Sequence, residues 1–172
     1  MKPKYIKAHM KTAENYAGLS TARRLQVGAI IVKHDRIISI GYNGMPSGWD
    51  NDCEDKEWCN AGEHFLSLDE ILVTWPYEGE YIDPVGNKIQ GRYRLKTKPE
   101  VLHAEANAIA KVARSSENAE DAVMFVTHAP CLECAKLIYQ SGIKQVFWQH
   151  NYRNEDGLSF LRQAGITLNK VE

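Results

Sequence analysis

Two short motifs constrain this chain more than anything else in it. His103-Ala104-Glu105 opens an alanine-rich helical pattern, and Pro130-Cys131-Leu132-Glu133-Cys134 starts 25 positions after Glu105. Cysteines at i and i+3 on the first turn of a helix point the same way, so both sulfurs reach one ion. A helix N-terminus favours thiolate, because its unpaired N–H groups stabilise negative charge. His103 opens another helix and can supply a third ligand. Three protein ligands leave one tetrahedral position for water, the pattern of a catalytic rather than a structural zinc. Glu105 is close enough to reach that water without binding the metal, and a carboxylate there moves protons. Two other readings fit the same residues: a structural Cys2His zinc with a fourth ligand from elsewhere, and a chance CxxC.

The compartment bears on that choice. The N-terminal segment never assembles the apolar core of a signal peptide, and the longest apolar stretch, Val27–Val32, is too short to span a bilayer. The expectation is a cytoplasmic chain with reduced thiols, which favours metal or catalysis over disulfides. Lys plus Arg is 21 against 22 Asp plus Glu, a net charge of −1. That balance argues against bulk nucleic-acid binding, though a local basic cleft is compatible with it. At 172 residues the chain reads as one domain, 1–172, with an insertion at about 45–99.

Periodicity predicts a helix over 4–17 ended by Gly18, then strands at 26–33 and 36–41 joined by a two-residue turn at His34-Asp35. Residues 45–99 hold four of the six prolines and three of the four tryptophans. They show little sustained periodicity beyond local helix around Glu63–Val73. From 104 onward helices at 104–112, 131–141 and 156–164 alternate with strands at 122–127, 144–148 and 166–169. Gly142 and Gly165 close the last two helices. The class is α/β, a sheet covered by helices.

The H-x-E…P-C-x-x-C signature is that of zinc deaminases acting on nucleobases. With Gln26-Val27-Gly28-Ala29, Gly41–Gly48, His103–Ile109, Pro130–Ile138, Ser141–Lys144, Asp156–Leu158 and Ala164–Ile166, the chain resembles the cytidine/deoxycytidylate deaminase superfamily, and within it the deoxycytidylate branch. The resemblance implies a three-layer α/β/α fold with a mixed five-stranded sheet. It implies hydrolytic deamination of dCMP to dUMP and ammonia, which feeds thymidylate synthesis. Zinc is held by His103, Cys131 and Cys134, and Glu105 moves the protons. The substrate residues it implies are Asn43 (to the sugar), Ala104, Val27, Thr127 and Tyr152, with Arg153 second to Tyr152 for the phosphate.

The same resemblance implies activation by dCTP, inhibition by dTTP and a hexamer. The effector loop is Gly41, Tyr42, Gly44, Met45 and Gly48, with Arg23 and Arg24 beside it, Arg114 as a further candidate, and Mg2+ accompanying a triphosphate. Three glycines and a proline around Asn43 make a turn whose backbone N–H groups can approach an anion; a plain glycine-rich turn is the other reading. Cys53 and Cys59 stay open between a second, structural zinc with His64, free thiols and a disulfide; His9 and Glu100 are candidates for the missing ligand. Trp49, Trp58 and Trp75 are expected to pack the insertion or an interface. His128 either lines the pocket or is an ordinary strand-end histidine, while His34 and His150 carry no motif. The rival functions are a polynucleotide base deaminase and a non-catalytic zinc module.

Overall fold

A computed structural model describes residues 1–59 and 67–172. Helix α1 (Pro3–Ala17) leads into the hairpin β1 (Gly28–Lys33) and β2 (Arg36–Tyr42). His34 and Asp35 both take positive φ, +48° and +58°, the backbone of a tight two-residue hairpin turn. Then come β3 (Glu54–Trp58), α2 (Leu68–Thr74), β4 (Tyr77–Ile82) and β5 (Lys88–Thr97). The rest alternates α3 (Ala104–Ala113), β6 (Val123–His128), α4 (Leu132–Gln140), β7 (Gln145–His150), α5 (Asp156–Gln163) and β8 (Thr167–Lys170).

The main sheet has the order β2-β1-β6-β7-β8. The first three strands pair antiparallel, and β6-β7-β8 run parallel. Period-two alternation divides its side chains between two cores. Ile30, Val32, Phe125 and Phe147 face Met10 and Ala13 of α1. Ile31, Met124, Val126 and Val146 face Ala108, Ala135, Ile138 and Leu161 of α3, α4 and α5. The result is the three-layer α/β/α arrangement with a mixed five-stranded sheet that the family resemblance implies. Parallel strands joined by helices gather a ligand crevice beyond their C-terminal ends.

The insertion differs from expectation. It holds a second antiparallel sheet, β3-β5-β4, that the sequence reading missed. Helix α2 begins at Leu68, behind a Ser67/Glu70 capping box; the expected helical residues 63–66, with His64, lie outside the described residues. Trp58 packs on Tyr81 and Tyr93, at 4.6 and 4.9 Å between ring centroids. Trp75 is buried beneath the Arg94 guanidinium, whereas Trp49 is exposed instead of packing the insertion. Among the described residues no helix is long and apolar enough to cross a membrane.

Candidate active site

His103 is the N-cap of α3 and Cys131 the N-cap of α4. The cysteine pair therefore straddles the helix start; Cys131 precedes the first turn and Cys134 lies within it. Two close backbone approaches aim these helix ends. A Cβ on Gly41 would stand 2.1 Å from the Ala104 carbonyl, so glycine lets β2 pack flat against α3. A Cβ on Gly157 would stand 2.0 Å from the Pro130 carbonyl, so glycine lets α5 press against the Pro130-Cys131 turn.

The Nδ1 atom of His103 lies 3.6 Å from Cys131 Sγ and 3.3 Å from Cys134 Sγ. All three ligand atoms fall within 4.8 Å of one another. A tetrahedral zinc with bonds of about 2.3 Å to sulfur and 2.0–2.1 Å to nitrogen needs N···S separations of about 3.5 Å. The donor set fits that ion, and it is the one such group among the described residues. The hydrogen bond from Cys134, aided by His103, pulls the Cys131 thiol down to about 4 against the opposing effect of burial. That same Cys131 hydrogen bond and burial push the Cys134 thiol up, so in the metal-free chain Cys134 keeps its proton. The hydrogen bond to Cys131 raises His103 above the ordinary histidine value.

Glu105, in the first turn of α3, is 4% exposed, and burial raises its carboxyl to about 6. It lines a pocket of about 350 Å³ together with His103, Ala104 and Cys131, a size ordinary for a small-molecule site. Val27 and Asn43 form another wall, and Tyr152, Arg153 and Arg24 the rim. The Asn43 amide is already engaged: Oδ1 accepts the Val27 N–H at 2.7 Å and Nδ2 donates to the Leu25 carbonyl at 2.8 Å. Each amide atom keeps one further hydrogen-bonding position.

Some expected residues lie elsewhere. Thr127 is not among the pocket-lining residues; its buried hydroxyl accepts the Gly28 N–H at 3.2 Å and braces β1. Arg23 is turned away to Asp52 at 2.6 Å and Glu54 at 3.4 Å. Gly41 packs on α3, Tyr42 sits under the Lys111 ammonium, and Met45 joins the small cluster of Ala22, Cys53 and Val101. Gly44 and Gly48 face open space. His128 does line the pocket, and its ring lies 5.0 Å from that of His150. Glu54 and Thr97 also line it and went unnoticed in the sequence, because neither belongs to a local motif. None of the four cysteines is in a disulfide. Among the described residues no three-ligand cluster includes Cys53, Cys59, His9 or Glu100.

This fold with a His-Cys-Cys centre beside a buried glutamate defines a zinc deaminase, and residues 3–150 match the cytidine and deoxycytidylate deaminase zinc-binding region; the chain belongs to that family. Within it, the chain is 35% identical over 154 residues to the deoxycytidylate deaminase of Enterobacteria phage T4, covering 85% of this chain and 79% of the relative. The Homo sapiens deoxycytidylate deaminase is likewise 35% identical, over 84% of this chain and 67% of its own length. The crystal structure of a dCMP deaminase from cyanophage S-TIM5, in complex with dCMP and dUMP, superposes with a TM-score of 0.74 at 36% identity, covering 99% of both chains.

Proposed function

We propose that this chain hydrolyses dCMP to dUMP and ammonia. The observation that carries the reading is the convergence of His103 Nδ1, Cys131 Sγ and Cys134 Sγ beside buried Glu105, in a pocket rimmed by Arg24, Tyr152 and Arg153. Zinc bound there supplies Lewis-acid activation of water at neutral pH. Glu105 accepts the proton that water releases as oxygen bonds to C4 of the cytosine ring. It passes that proton to N3, then takes the remaining proton from the C4 hydroxyl and delivers it to the departing amine as the C4–N bond breaks and the C4 carbonyl forms. A carboxyl raised toward neutrality suits both directions of transfer.

Ala104 and Val27 flank the ring, the free positions of Asn43 take the sugar, and Tyr152, Arg153 and Arg24 meet the phosphate. Burial raises the Tyr152 phenol, which keeps it a hydrogen-bond donor. A polynucleotide substrate is disfavoured by the charge balance. A purely structural zinc module has no use for a buried carboxylate beside its metal. Ammonia release measured over dCMP, dCTP, deoxycytidine and cytidine tests the reading. Preferred turnover of dCMP supports it; equal efficiency on deoxycytidine overturns phosphate recognition.

The reading includes a cytoplasmic hexamer activated by dCTP and inhibited by dTTP, with Mg2+ accompanying the triphosphate. Its support is the family resemblance, with Gly44 and Gly48 open to an approaching ligand. Gly48 has φ +87°, a backbone suited to glycine. Hyperbolic kinetics indifferent to both triphosphates reject the regulation. A zinc count near two per chain supports a second site at Cys53, Cys59 and His64, and a count near one rejects it.

A further inference from the structure

One wall of the pocket comes from the insertion. Glu54 on β3 and Thr97 on β5 both line it, and they are direct partners in the antiparallel register. Both hold Arg24. Glu54 Oε1 accepts the Arg24 backbone N–H at 3.2 Å and the Arg23 backbone N–H at 3.1 Å. Glu54 is 2% exposed, and a carboxylate so buried is retained when hydrogen bonds hold it in place. At the other end of the side chain, Arg24 Nη1 donates to Thr97 Oγ1 at 3.1 Å.

The two adjacent arginines are treated oppositely. Arg23 spends its charge on Asp52 and Glu54. Arg24 makes no ion pair among the described residues, and its side chain is held by a neutral hydroxyl at the pocket rim. A hydroxyl fixes the guanidinium without neutralising it, which is what recognition of an anion requires.

We infer that Glu54 and Thr97 are positioning residues that fix Arg24 at backbone and side chain, so that the insertion sets the enzyme's preference for a phosphorylated substrate. This rests on the reading that the substrate is a nucleoside monophosphate whose phosphate meets Arg24. Pre-ordering the guanidinium removes an entropy cost that binding would otherwise carry. The insertion acts through Arg24 and touches no reacting atom.

Steady-state kinetics on dCMP and deoxycytidine for the zinc-loaded wild type and for R24L, T97V, T97S, E54Q and R24L/T97V test this. Loss of one such hydrogen bond should raise KM for dCMP about three- to tenfold in T97V and E54Q, with a much smaller change in kcat. T97S should restore the wild-type value. In the R24L background T97V should add nothing, a coupling that a merely structural threonine would not show. Equal wild-type efficiency on the two substrates overturns the phosphate reading itself. A preference that R24L removes but T97V leaves intact, or T97V effects that are additive with R24L, overturn the positioning role alone. T97V keeps the test decisive if E54Q fails to fold.

Discussion

His103 Nδ1 and Cys131 Sγ stand 3.6 Å apart, and the two residues hold the same position, the N-cap, of two different helices. The positive ends of α3 and α4 thus converge on one point. The hydrogen bond from Cys134, aided by His103, favours a thiolate at Cys131 before any metal arrives, and positive helix ends at the same point act in the same direction. The main-chain frame is therefore suited to anionic sulfur.

That frame yields a prediction about metal content. Cys134→Ser removes one of two sulfur donors while leaving the α4 first turn intact. Zinc per chain, measured by atomic emission after dialysis, should fall well below the wild-type value, and deamination should fall with it. Retention of wild-type zinc in the variant would remove Cys134 from the ligand set.

The zinc ligands were legible in the sequence because each sits at a helix start, where identity and spacing alone fix direction. The main sheet was legible because β1, β6 and β7 are apolar runs buried on both faces. The insertion was not. Its strands alternate charged residues with aromatics and glycines and are largely exposed, so they offer no apolar run to read. Arg23 and Arg24 are indistinguishable in sequence; what separates them is Asp52 and Glu54, some 30 positions away, and Thr97, 73 positions away. The bond from the Gly28 N–H to the Thr127 hydroxyl left no local signal for a related reason: the two residues are 99 positions apart.

Two glycine substitutions should part company. At Gly157 a Cβ meets the Pro130 carbonyl at 2.0 Å and the Cys131 main chain at 2.9 Å. Gly157→Ala should cost about 1–3 kcal/mol or more and weaken zinc binding, because α5 must move off the ligand turn. At Gly165 a Cβ meets open space and only the φ of +78° resists it. Gly165→Ala should cost about 1 kcal/mol and leave zinc affinity alone. Denaturant unfolding and a competitive zinc chelator measure the two effects; equal zinc affinities in the two variants would count against the packing argument.

His128 gives a pH signature. Burial, and then the charge of His150, hold its folded pKa below the ordinary 6.5. The unfolded chain therefore binds the proton more readily. His128 contributes stability that is fully present above pH 6.5 and is lost as pH falls through the folded value. His128→Gln should flatten that part of the stability profile between pH 7.5 and 5. Urea unfolding at steps across that range checks it, and an unchanged slope in the variant would assign the acid sensitivity to other groups.

Glu105 has the opposite sign, and its cost and its use separate in one variant. Burial raises its folded pKa from 4.5 to about 6 in the metal-free chain. The folded state then binds the proton more tightly than the unfolded one. The stability linked to Glu105 is complete below pH 4.5 and is lost as pH rises through about 6. That rise in pKa corresponds to about 2 kcal/mol of destabilisation above pH 7. Glu105→Gln keeps the shape and removes the charge. The metal-free variant should exceed the wild type by about 2 kcal/mol at pH 8 and match it near pH 4. The zinc-loaded variant should keep its metal and lose turnover by about 10²- to 10⁴-fold, since among the described residues the other carboxylate lining the pocket, Glu54, is held by the Arg23 and Arg24 backbone N–H groups. Chemical denaturation at the two pH values reads the first effect and ammonia release the second. A variant no more stable at pH 8 would show that the buried carboxylate is compensated without metal, and substantial residual turnover would take Glu105 out of the proton path.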